Sequence, residues 1–106
     1  MSHDVMSTIR DAIKTSHLLQ INYNGNGEPG FRTVEPHMVA DTRAGNLALG
    51  AWFLHGNSAS NEGGGWRTYE LSEISSATML PQQFHGTRPG YKSNGGRNFT
   101  NIQCAL

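Results

Sequence analysis

A single cysteine in 106 residues rules out an intrachain disulfide framework, so the fold has to hold through its core. That residue, Cys104, sits among apolar neighbours, which points to a buried, inert thiol and to a reducing, cytoplasmic setting. No apolar run approaches the roughly 20 residues needed to cross a bilayer, and the N-terminus lacks the basic start and apolar centre of a secretion signal. No membrane association is expected. Acids and bases balance to a formal charge of zero, which argues against nonspecific attraction to duplex nucleic acid. Five histidines are present, but no pair has the close spacing of a zinc motif, so neither metal nor cofactor is expected. The length suits one domain, able to remove about two-thirds of the unfolded chain's surface from water.

The neutral total hides a gradient. Residues 1–73 carry all eight acids against five bases, a net charge of −3, whereas residues 74–106 carry Arg88, Lys92 and Arg97 and no acid, a net charge of +3. Three charges in that length read first as a solvated basic loop.

Val5, Ile9, Ala12, Ile13 and Ser16 recur near a helical period, with Ser7 placed to cap the first turn, which predicts a short helix over about 7–16. Leu19, Ile21 and Tyr23 then alternate with polar residues, as in a half-buried strand. Asn24-Gly25-Asn26-Gly27 predicts a hairpin. The return strand is expected over 31–35, with Pro36 marking an edge, a bend or a strand start, and an extended segment resuming over 37–42. A turn is expected over 43–46, a central strand over 47–55, a loop over 56–65 and a strand over 66–71. Ser72-Glu73-Ile74 would form a brief turn, a strand over 76–80 would close at Pro81, and an irregular stretch over 84–96 would lead to an extended piece over 99–105. One helix followed by five to seven short strands favours a compact curled sheet or small antiparallel barrel, with the C-terminal loop and strand over 81–106.

Two strand segments hold the chemistry. Phe31-Arg32-Thr33-Val34-Glu35-Pro36-His37 and Gly65-Trp66-Arg67-Thr68-Tyr69-Glu70-Leu71 each place an arginine in an alternating pattern beside an aromatic or a proline. A guanidinium offers a planar fork to carboxylate or phosphate, and Trp52, Trp66 and Tyr91 offer faces on which a base stacks for about 1–3 kcal/mol each. Against this stands core packing of the aromatics and pairing of Arg32 with Glu35, Glu70 or Glu73. Ser58 and Ser60 lack the strand–turn–helix setting of a nucleophile elbow, and the glycines over 25–30 and 63–65 match neither the P-loop nor the dinucleotide fingerprint.

Ile9, Ala12-Ile13, Ile21-Asn22-Tyr23, Arg32-x-Val34-x-Pro36, Trp52-Phe53-Leu54, Trp66-Arg67-x-Tyr69-x-Leu71-x-x-Ile74 and Phe84, in that order, resemble the WYL domain. The resemblance covers roughly 9–84. Glu35-Pro36-His37, Gly56-x-Ser58, Gly65-Trp66-Arg67 and Arg88-Pro89-Gly90-Tyr91 are similar to a short, stand-alone WYL-like family of bacterial and phage proteins. The resemblance implies a short helix with a small Sm-like β-barrel, and a regulatory module that binds nucleotides or single-stranded nucleic acid through basic and aromatic positions. Where the pattern usually has an arginine before the isoleucine, this chain has Glu73, and Arg67 and Arg88 are placed to compensate.

These readings converge on a noncatalytic module, regulatory or sequestering, in which Arg32, His37, Trp52, Trp66, Arg67, Arg88 and Tyr91 bind a nucleotide-like anion or a short single strand. The length leaves no room for a helix-turn-helix, so sequence-specific duplex DNA binding is not expected. An interaction subunit that pairs with itself or another protein is the second reading. A nucleotide-acting enzyme, using His37 with Ser58 or His55, is the third.

Overall fold

A computed structural model describes residues 4–25, 29–56 and 64–106. The chain opens with α1 (Val5–Thr15), followed by β1 (His17–Tyr23), β2 (Gly30–Thr42), β3 (Leu47–Gly56) and β4 (Trp66–Glu70). A 3-10 turn (Leu71–Glu73) leads into β5 (Ile74–Gln83), and β6 (Phe99–Ala105) comes last. The helix starts two residues before its expected position because the cap is Asp4, whose carboxylate accepts from the Ser7 amide; Ser7 is the residue being capped. At the other end Ser16 takes a left-handed conformation (φ 55°), and its amide closes on the Ala12 and Ile13 carbonyls.

All pairings are antiparallel, and the sheet runs β4-β3-β2-β1-β5 with β6 joined to β2. Of the expectations for Pro36, an edge, a bend or a strand start, the strand start fails, since β2 runs unbroken through it. Pro36 marks instead a change of neighbour: β1 pairs with β2 up to Val34, and β6 takes over the same edge from Met38. The missing proline donor falls in the gap between these two partners. On the β3 side Pro36 faces Ala51 and Met38 faces Gly50, so His37 is the extra residue of a bulge. Pro81 likewise fails to close its strand, because β5 is an edge strand and continues to Gln83.

The mainly β expectation holds, but barrel closure does not. Among the described residues no ladder joins β4 to β5, so the six-stranded sheet stays open. Near that seam the Tyr23 hydroxyl accepts the Glu70 amide at 3.2 Å, and the Asn24 amide donates to the Glu73 carbonyl at 2.9 Å. A side chain thus takes an amide that a closing ladder would use.

The core lies between α1 and one face of the sheet. Ile9, Ala12 and Ile13 of the helix meet Leu19, Ile21, Val34, Val39, Leu49, Ala51 and Phe53, with Tyr23 packed edge-on against Tyr69 at 4.9 Å. Cys104 is half-buried at the margin of this cluster. Strand alternation sends Glu35, Trp52, Trp66 and Thr68 to the opposite face. Gly56 (φ 135°) ends β3 against β2, and a Cβ there would stand 2.4 Å from the Phe31 carbonyl oxygen. The expected loop over 56–65, with Ser58 and Ser60, falls largely outside the described residues.

Candidate ligand-binding site

The sheet face turned away from the core is covered by residues 84–98, an arm linking β5 to β6. His37 is the centre on which it settles. Its ring is fully buried, 4.8 Å from Trp66 and 5.2 Å from Tyr91 in edge-on contacts, and stacked on Phe84 at 5.6 Å. Trp66 stacks on Tyr91 at 6.1 Å, meets Trp52 edge-on at 5.5 Å, and donates its indole N–H to the Pro89 carbonyl at 2.8 Å.

Both ring nitrogens of His37 are engaged. The Arg88 backbone amide lies 3.2 Å from Nε2, and because a backbone N–H can only donate, Nε2 must be the acceptor. Nδ1 therefore carries the proton and donates to the Glu35 carbonyl at 2.8 Å. Burial holds the His37 pKa below 6.5 with help from the Arg88 charge, while the Glu35 carbonyl contact and carboxylate pull it upward. The His37 carbonyl is used as well: it accepts the Leu106 amide at 2.9 Å, and the Tyr91 hydroxyl stands 3.4 Å away.

Beside this cluster the Arg88 guanidinium grips the Glu35 carboxylate with two bonds, 2.7 and 2.9 Å, and lies 5.2 Å from the Trp52 ring centre. The hydrogen bonds that Arg88 donates to Glu35 raise the Arg88 pKa further. Its charge is spent within the protein.

Between the arm and strands β2 to β4 lies a pocket of about 450 Å³. His37, Met38, Gly50, Trp66, Arg67 and Thr68 line it from the sheet, and residues 90–92 and 95–99 line it from the arm. Gly50 is what admits the Phe99 ring, which would stand 3.1 Å from a Cβ at that position. Lys92 and Arg97 bring two cations to the lining, and among the described residues no carboxylate joins them; Arg67 borders the pocket from a strand position opposite Ala51, so its guanidinium turns to the core face. Arg67 lies 5.2 Å from the Phe53 ring centre and donates to the Trp66 carbonyl; among the described residues no acid pairs with it. Arg43 fixes the arm from outside by donating to the Arg97 and Gly96 carbonyls at 2.6 and 3.4 Å.

Of the seven residues singled out in the sequence, His37, Trp66 and Tyr91 line this pocket with their rings, Arg67 borders it from a strand position whose side chain turns to the core face, and Trp52 with Arg88 stand next to it. Arg32 does not join them. It shares a strand face with Val34, is 4 % exposed, donates to the Tyr23 and Gly30 carbonyls at 3.1 Å each, and lies over the Tyr23 ring. Lys92 and Arg97 were visible only as part of a basic loop. The signal that could have promoted them was the acid-free stretch around Gly90, Gly95 and Gly96.

The match to known proteins agrees with this architecture. The family model described as WYL domain matches residues 4–79, and the chain belongs to that family. The solved structure of Proteasome accessory factor B/C (PafBC) of Arthrobacter aurescens superposes with a TM-score of 0.65 at 19 % identity, over 85 % of this chain and 13 % of that one. That likeness establishes a shared fold, and this chain spans about an eighth of the larger protein. No curated protein matches. The arm lies beyond the residues that the family model matches.

Proposed function

We propose that this WYL domain is a noncatalytic regulatory or sequestering module that captures a nucleotide-like anion in the pocket under the arm. The supporting observation is the lining: Lys92 and Arg97, with no carboxylate among the described residues, set around the rings of Trp66, Tyr91 and Phe99. A volume of about 450 Å³ suits a mononucleotide or one to two residues of a single strand. Both nitrogens of His37 are already committed, which favours binding over proton transfer. Calorimetric titration with mononucleotides, cyclic dinucleotides and short single strands is expected to give heat with at least one, weakening with salt as the cations are screened. Silence from all three classes would sink the reading, and conversion of the bound compound would replace it with the enzymatic one.

A second reading is favoured by the edges of the open sheet, where Met79 of β5 is 41 % exposed and Ile102 of β6 is 38 % exposed. It makes the chain a self-pairing subunit. Light scattering over a range of concentrations distinguishes them: a ligand-free monomer throughout leaves the anion reading alone.

A further inference from the structure

The arm is held by separate side-chain and single-amide contacts instead of a ladder, with the Phe84 amide on the Ser16 carbonyl at one end and Arg43 on the Gly96 and Arg97 carbonyls at the other. Its pocket-side attachments are the Arg88 amide on His37 Nε2, the Arg88–Glu35 ion pair, the Trp66 indole on the Pro89 carbonyl, and the Tyr91 hydroxyl, whose one proton serves either the His37 or the Leu106 carbonyl. Between these points its backbone bonds are short-range turns such as Tyr91 to Arg88 and Gly95 to Lys92. Such a segment opens at lower cost than the ladders beneath it. One of its anchors also depends on a proton. We propose that residues 84–98 form a latch over the pocket, closed while His37 is the neutral tautomer protonated on Nδ1 and released when Nε2 takes up a second proton.

The physics is local. Nε2 is an acceptor for the Arg88 N–H across 3.2 Å; a proton placed there sets two donors head to head and deletes the bond. The new imidazolium lies in a shell of rings, Trp66, Tyr91 and Phe84, without access to water while the arm is down. The charged and titratable groups facing it are Glu35 on β2 and Arg88 and Tyr91 on the arm, with Lys92 lining the same pocket. Glu35 favours the proton, but its carboxylate is already bound twice by Arg88, and Arg88 opposes it. Burial raises the Tyr91 pKa, so its phenol stays neutral throughout the acid range. Lifting the arm lets water reach the imidazolium and frees the Arg88 amide to bond to water. The depressed His37 pKa agrees with the closed state being the one that excludes the proton. Opening therefore grows as pH falls below 6.5 toward that lowered value.

The meaning of the latch as regulation rests on the anion reading above, whereas its movement does not, and the test needs no ligand. Amide exchange and imidazole nitrogen shifts of the whole chain are followed by NMR from pH 7.5 to 5. Expected are an Nδ1-protonated neutral ring at the upper end and at least a tenfold loss of protection at Arg88 and Tyr91 tracking the His37 titration. The Val39 and Leu49 amides of the central strands should keep theirs. His37→Gln, which cannot titrate, should remove the pH response, and His85→Gln, altering the exposed arm histidine, should leave it intact. The opposite tautomer at neutral pH, unchanged arm exchange through the titration, or loss of protection at Val39 and Leu49 in step with the arm would each overturn the latch. Wild-type spectra decide the question even if His37→Gln does not fold. A silent calorimetric titration would remove the anion reading without touching this one.

Discussion

Arg32, Arg67 and Arg88 look alike in the sequence and have three different situations in the fold. Arg32 is buried against backbone carbonyls and a ring, Arg88 neutralises Glu35, and Arg67 lies over the Phe53 ring on the core face with no acid paired to it among the described residues. The exposed cations of the pocket are Lys92 and Arg97, so replacing both with alanine is expected to weaken anion binding at least tenfold while melting within about 0.5 kcal/mol of the parent, as for surface substitutions. Arg88→Ala leaves the Glu35 carboxylate, 8 % exposed, without its partner, and should lower stability by about 1–2 kcal/mol in denaturant melts. Glu35→Gln in that background should recover part of the loss; no recovery would mean that Arg88 acts through Trp52 packing instead. Strand parity was the readable clue to this division. Arg32 keeps step with Val34, Arg67 with Tyr69, and Trp66 with Thr68, so alternation alone sends both arginines to the core face and Trp66 to the other. Treating the arginines and rings as one set overlooked that two-residue period. Lys92 and Arg97 were not legible in the same way, because distant anchors such as Arg43 place them rather than any local pattern.

The elements themselves were largely legible, since amphipathic periods and turn residues act locally. The alternation of Leu19, Ile21 and Tyr23 appears as buried positions of β1, and the 43–46 turn appears with Gly45 at φ 89°. Boundaries failed where tertiary partners decide them. Pro36 looked like an edge, a bend or a strand start and Pro81 like a stop because proline removes a donor, yet each lies inside a strand where no partner claims one. The helix start turns on a single cap: Asp4→Ala should cost about 1 kcal/mol of stability, and Ser7→Ala much less, because Ser7 uses only its backbone N–H there. Equal losses from the two would place the cap elsewhere. Gly56→Ala combines φ 135° with a 2.4 Å approach to the Phe31 oxygen and should destabilise the β2–β3 pairing by about 1–3 kcal/mol, seen as a lower melting temperature.

For the molecule as a whole, two buried groups bound the pH range of full stability. The folded His37 pKa lies below 6.5, so the unfolded chain binds more protons under acid conditions; the stability present above 6.5 is lost as pH falls toward the folded value. Tyr69 is pushed up to about 12 from 10.0, chiefly by burial, so its contribution is intact below 10 and is lost as pH rises toward 12. Thermal melts across pH should show a plateau between about 6.5 and about 10, with His37→Gln flattening the acid shoulder and Tyr69→Phe the alkaline one. Acid loss of equal size in both His37→Gln and the parent would assign that shoulder to another group.

β2 carries two successive neighbours on one edge, and the second is made more than fifty residues after β2 itself. During synthesis the stretch from Met38 to Thr42 therefore leaves the ribosome with half of its backbone groups unclaimed, and waits for Phe99–Ala105 to emerge before the ladder is complete. A nascent chain stalled ahead of Phe99 would display a raw strand margin to every other polypeptide nearby. Chaperone holdases recognise such a margin, and premature stop codons in this region should yield inclusion bodies rather than a smaller folded product.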